Sequence, residues 1–105
     1  MTNVSDVEFV GKVLEATQRG RIDWQKTAVE AQYASTFGGK WTVLIDRGTD
    51  HRGNETFWLS LQNAEGETVL RIEQDSRLSG LFELARRYAL KVNEAMADFL
   101  KELES

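Results

Sequence analysis

The chain has 105 residues, 41 % of them hydrophobic and 29 % charged, with a formal net charge of −4. That suffices for one globular domain with its own core. Zero cysteines exclude disulfides and thiolate metal centres, and the mild acidity disfavours nonspecific binding to nucleic acid or anionic membrane without reaching the acidity of a DNA mimic.

The opening Met1–Asp6 has no basic flank and no apolar h-region, so no signal peptide is expected. No run approaches the roughly 18 apolar residues of a membrane span. A cytoplasmic protein is expected, in which the glycosylation-like triplets Asn3-Val4-Ser5 and Asn54-Glu55-Thr56 carry no meaning.

In chain order, Ser5-Asp6-Val7-Glu8 fits a capping box, with a serine N-cap and a glutamate three residues on. Val7, Val10, Val13, Leu14 and Thr17 then share one helical face, and Gly20 stands where a left-handed residue ends a helix. A first helix over about Asp6–Arg19 follows. Gly11, on the same face, costs up to about 1 kcal/mol of helix propensity; close approach of a neighbouring backbone is one reason to keep it. In "RIDWQKT", Ile22 and Trp24 alternate with polar residues. An extended segment that presses Trp24 onto the end of the helix is the plain reading; a ligand-stacking Trp24 is the alternative.

From Ala31 the period becomes two. "AQYASTF", Gly38-Gly39 and "KWTVLID" read as a hairpin, the glycines supplying the positive φ of a tight turn. The polar loop "RGTDHRGNE" leads to "TFWLSLQ", and the turn "NAEG" to "ETVLRIE". Short connections imply an antiparallel meander of four strands. Alternation places Tyr33, Ser35, Phe37, Trp41, Val43, Ile45, Phe57, Leu59, Leu61, Thr68, Leu70 and Ile72 on the face that meets the helices. The opposite face carries Ala34, Thr36, Thr42, Ser60 and Arg71, but also Leu44, Trp58 and Val69, more apolar than bare solvent exposure needs.

Ser76 and Ser79 are candidate N-caps for a final helix. There Leu78, Ala85, Val92 and Phe99 recur at intervals of seven, interleaved with Leu81/Phe82, Tyr88/Ala89, Ala95/Met96 and Leu103. After Gly80 no glycine or proline interrupts the pattern. An unbroken helix of about 26 residues would extend about 39 Å, against about 17–23 Å for strands of the expected length. The expected architecture is therefore a two-layer α+β domain, residues 1–105, ordered α-β-β-β-β-α. A four-stranded antiparallel meander carries the N-terminal and the long C-terminal helix on one face.

Val13-Leu14-Glu15-Ala16-Thr17 with Gly20, Ile22, Trp24 and Thr27, and the closing "LFELARRYALKVNEAMADFLKEL", resemble segments of small bacterial proteins of unassigned function. The resemblance covers about half the chain and implies the same fold and a bacterial or mobile-element origin; it carries no catalytic residue. In such proteins a glycine often stands near the position of Lys91. Its absence here leaves open whether the helix bends.

Catalytic patterns are missing. His51, the sole histidine, lies in a polar loop without an orienting partner, and no serine sits in a nucleophile elbow. The loop Asp46–Glu55 fails as a calcium loop, because Gly48 stands where a ligand is needed and His51 where glycine is. Gly38-Gly39 joins two strands rather than a strand and a helix, so it does not cradle phosphate. Arg19, Arg21, Lys26, Lys40, Arg47 and Arg52, with Trp58 as a stacking platform, make a poor nucleic-acid surface on an acidic chain. No metal, no cofactor, no nucleic acid and no membrane are expected as partners.

The long helix admits three outcomes. It breaks near Lys91-Val92-Asn93 and folds back; it runs straight and pairs with a second copy; or its overhang docks another protein. Arg86, Arg87 and Lys91 in its first half and Glu94, Asp98, Glu102 and Glu104 in its second favour antiparallel pairing of two copies. The expected contact is Val92, Met96, Phe99 and Leu103, unless the first helix and Trp24 cover that stripe. A second candidate surface is Leu44, Trp58 and Val69. The expected function is a non-enzymatic interaction module, an adaptor, inhibitor or immunity-type protein acting through self-association or another protein. The alternative is a small-ligand or enzymatic domain with a pocket between sheet and helices.

Overall fold

A computed structural model describes residues 4–105; Asn3 of the first glycosylation-like triplet and the start of the expected leader-free segment lie outside the described residues. The elements are α1 (Asp6–Gln18), β1 (Gln25–Lys26), β2 (Gln32–Phe37), β3 (Trp41–Thr49), β4 (Glu55–Gln62), β5 (Thr68–Ile72), α2 (Leu78–Ala89) and α3 (Val92–Glu104). The fold is α+β, with one antiparallel sheet in the order β1-β2-β3-β4-β5.

Local chemistry accounts for most boundaries. Ser5 Oγ accepts from Glu8 N at 3.1 Å and starts α1. Gly20, at φ 69°, ends it, with Arg21 N donating to Ala16 O and Gly20 N to Thr17 O, the two bonds of a Schellman motif. Gly38 and Gly39 both take positive φ in the β2–β3 hairpin. Asn63 Oδ1 closes the β4–β5 turn by accepting from Glu65 N and Glu67 N.

The expected faces hold across the sheet. Tyr33, Ile45, Leu59 and Ile72 stand opposite one another, as do Ser35, Val43, Leu61 and Leu70. The first row joins Val10, Trp24, Leu78, Leu81, Phe82 and Ala85 in a single core, so α1 and α2 cover the same sheet face. Trp24 is buried, and its Nε1 donates to Thr17 Oγ1 at 3.1 Å, which donates in turn to Val13 O at 2.8 Å. The indole caps the packing between α1 and the sheet rather than offering a stacking surface.

Three features differ from expectation, and a fourth answers a question the sequence left open. A fifth strand, β1, pairs Gln25 and Lys26 with Ala34 and Tyr33; two polar residues are too short to show a period. β3 runs on through Arg47-Gly48-Thr49, so the supposed loop shrinks to the turn Asp50–Asn54, closed by Asp50 Oδ1 accepting from Arg52 N and Asn54 N. Neither Ser76 nor Ser79 caps α2: its N-cap position is Arg77, without a side-chain cap bond, and Asp75 accepts from Arg77 N instead. The long C-terminal helix is two helices. Leu90 ends α2, and Lys91 turns left-handed at φ 53°, ψ 47° before α3 begins.

Lys91 holds a left-handed backbone shape that side chains disfavour, while Lys91 N donates to Tyr88 O and Lys91 O accepts from Ala95 N.

Gly11 does admit a close neighbour, though not a backbone. A Cβ there would lie 3.1 Å from Arg77 Nη1. Arg77 reaches over α1 to donate from Nη2 to Val7 O at 2.9 Å while Asp75 accepts from Nε and from the same Nη2, which ties the start of α2 to α1. Gly11→Ala in an Arg77→Ala background should stabilise the fold by about 0.5–1 kcal/mol through helix propensity. In the wild type, displacement of the guanidinium should offset that gain. Urea unfolding of the four-member cycle checks it; additive effects would mean that Gly11 and Arg77 do not compete for space.

Candidate interaction surfaces

The first surface is α3. A helix of 13 residues normally buries one face, yet α3 buries no residue and packs mainly on α2. Met96, Phe99 and Leu103, with Val92 half-buried at the elbow, fall at spacings of four, three and four and so share one side. Phe99 is 62 % and Leu103 66 % exposed. Leu100, also exposed, widens the stripe and was missed by the heptad reading. Neither α1 nor Trp24 covers it. Glu94, Asp98, Glu102 and Glu104 against Lys101 leave the helix acidic.

The second expected surface is the outer sheet face, and there the three candidates separate. Leu44 is only 8 % exposed and offers a partner little. Trp58 is half-buried over Gly48, whose added Cβ would meet the ring at 2.8 Å, and the Arg71 guanidinium lies 4.7 Å from the indole centroid. Val69 is exposed where the β4–β5 register slips between Leu61 and Gln62. The structure does not join this face to the α3 stripe.

The same outer face holds a buried carboxylate. Thr27 Oγ1 donates to Gln32 Oε1 at 2.7 Å, and Gln32 Nε2 donates to Asp46 Oδ2 at 2.8 Å. Burial pushes the Asp46 carboxyl above the usual carboxylate range, opposed by the Gln32 hydrogen bond and by the charge of Arg71. A raised pKa means that the folded state holds its proton longer than the unfolded chain. The associated stability is complete below the ordinary aspartate range and is lost as pH rises through the raised value. Asp75 and Asp50 behave oppositely. The Arg77 side chain holds Asp75 low, and backbone N–H groups led by that of Asn54 hold Asp50 low, so their stability is lost as pH falls. Asp46→Asn, which keeps the bond from Gln32, should therefore raise the midpoint of thermal unfolding at neutral pH and leave it unchanged below the ordinary aspartate range. A lowered neutral midpoint would show that ionised Asp46 stabilises the sheet.

A third surface was not visible in the sequence pattern. Between α1 and the β2–β3–β4 end of the sheet runs an open groove of about 480 Å³. Phe9, Val13 and Ala16 form its α1 wall; Phe37, Val43 and Leu61 form its sheet wall. Among the described residues, the ionisable side chains that line it are Lys12 and Arg21, and no carboxylate does so. Phe37 and Trp41, expected in the core, lie exposed at this end, with Lys40 Nζ 5.8 Å from the Trp41 ring centroid. The reason is coverage: α2 buries Leu78 to Ala85 over the other row of the sheet, and nothing in alternation says which row a helix will cover.

His51 lies exposed in its turn. Of the cations considered for nucleic acid, Arg19 pairs with Glu15 at 3.0 Å and Arg47 lies 5.2 Å from the Phe82 ring centroid. No helix among the described residues is long and apolar enough to cross a membrane. No protein-family model, curated protein or solved structure matches the chain.

Proposed function

We propose that the chain is a non-enzymatic protein-interaction module that docks a protein, either a second copy or a different chain, through α3. Such a module would serve as an adaptor, inhibitor or immunity-type protein in the cytoplasm of a bacterium or mobile-element host. One observation carries this reading: α3 keeps regular helical structure while burying none of its own residues, with Phe99 and Leu103 about two-thirds exposed. A solvated helix of this length is marginal by itself, and an uncovered apolar stripe is an aggregation liability unless something binds it.

Phe99→Asp tests it. Because Phe99 touches little of its own chain, stability should change by no more than about 0.5 kcal/mol. Association should weaken by about 2 kcal/mol or more, as for a central aromatic anchor. Light scattering reads self-association, and affinity capture with wild-type and variant baits reads other partners. A variant that matches the wild type in both measurements would overturn the proposal.

The alternative reading, a small-ligand site between sheet and helices, rests on the groove beside α1. Ligand pockets combine an apolar lining with a few convergent polar groups that fix orientation. This groove has apolar walls and two cations, which suits an apolar side-chain stripe better than an oriented small molecule.

A further inference from the structure

We infer that the groove between α1 and the sheet receives α3 of a second copy of this chain, reciprocally, so that two copies exchange their C-terminal helices. The inference rests on α3 being a docking element and adds its occupant. Among the described residues, two surfaces lack a partner, and they complement each other in shape and in charge. One is a convex apolar stripe on an acidic helix; the other is a concave apolar groove whose ionisable lining is Lys12 and Arg21.

Charge selects among the ways two copies could meet. Pairing α3 with α3 places acidic helix on acidic helix, because Glu94, Asp98, Glu102 and Glu104 outnumber Lys101. The break at Lys91 also removes the straight antiparallel pairing that a continuous helix would permit, since Arg86 and Arg87 now belong to α2 and the acidic residues to α3. Docking in the groove sets the acidic flanks of the stripe, Glu102 and Glu104, against Lys12 and Arg21. The elbow lined by Arg87, Tyr88 and Lys91 is another cationic concavity, but at about 300 Å³ it is smaller and includes Glu94 itself. One helix of 13 residues covers little surface alone; reciprocity doubles it toward the roughly 1,200–2,000 Å² that stable complexes bury.

The full chain is measured by sedimentation and light scattering across a concentration series. Phe99→Asp, and independently Leu103→Ser, should weaken the dimer about thirtyfold or more. Lys12→Glu with Arg21→Glu should weaken it on the order of tenfold, and adding Glu102→Lys with Glu104→Lys to that variant should restore it. All these positions are exposed, so melting curves of the variants should match that of the wild type.

Several results would overturn the inference. A dimer unaffected by the groove reversals but broken by Phe99→Asp refutes the groove as the seat while leaving α3 as a docking element. A dimer broken only by changes at Tyr88 or Leu90 places the interface at the elbow. A wild-type chain that stays monomeric at high micromolar concentration refutes exchange; binding of anilinonaphthalene sulfonate to that monomer, abolished by Val13→Asp, would make the groove a ligand site.

Discussion

Trp24→Ala is expected to cost about 3–5 kcal/mol of folding stability, a large share of the roughly 5–15 kcal/mol available to a small domain. Trp24 is among the largest fully buried side chains, at 1 % exposure. It sits where α1, the connection after Gly20 and the first strand converge, so no single element can collapse into the space it leaves. Its indole nitrogen is also half of a short relay, Trp24 Nε1 to Thr17 Oγ1 and Thr17 Oγ1 to Val13 O. Thr17→Val separates the two contributions: it keeps the volume but leaves the buried indole N–H without an acceptor, for about 1–3 kcal/mol. Urea unfolding with an unchanged denaturant slope is the measurement. A Trp24→Ala loss below about 1 kcal/mol would mean that the segment after Gly20 is not part of the core.

Phe82→Ala should be of similar size, about 3–5 kcal/mol, through a different mechanism. Phe82 anchors α2 to the sheet. Its ring lies 5.4 Å from that of Tyr33 and 5.6 Å from that of Phe57, both tilted, with the Arg47 guanidinium 5.2 Å from its centroid. Phe82→Leu keeps most of the apolar volume and loses the ring geometry, so it should cost only about 1–2 kcal/mol, the range of an aromatic pair plus a partly exposed cation–π contact. If alanine and leucine cost the same, burial does not govern this position and the aromatic arrangement does. Because α3 follows α2 through a single left-handed residue, Phe82→Ala should also loosen the placement of α3. Phe99→Asp should not disturb α2. That asymmetry separates a fold defect from an interface defect.

Much of the fold was legible because local rules and global packing agree. Ser5, Gly20, Gly38-Gly39 and Asn63-Ala64-Glu65-Gly66 mark ends and turns through their own backbone chemistry, and the structure places boundaries there. Alternation identified the inner sheet face, including Tyr33, Ile45, Leu59 and Ile72 in one row. β1 escaped because two residues carry no period. The α2 cap escaped because Asp75 and Arg77 act through an ion pair rather than a serine. Of the candidate surface residues, Met96, Phe99, Leu103 and Val69 are exposed, Val92 and Trp58 are half-covered, and Leu44 is buried.

What the amino-acid order determined alone was the class of fold, the antiparallel meander, the side of the sheet that meets the helices, and the apolar stripe from Val92 to Leu103. Each depends on spacing along the chain, and spacing is a local property. Tertiary structure alone decided that the final helix divides, which row of the sheet α2 covers, and that a groove remains beside α1. An apolar residue every three or four positions looks the same whether a core, a second copy or water faces it. Leu78, Leu81, Phe82 and Ala85 are buried, while Met96, Phe99 and Leu103 continue the same periodicity into solvent. The difference is set by the left-handed turn at Lys91 and by how far the sheet extends beneath α2, and neither is encoded in the period of the helix.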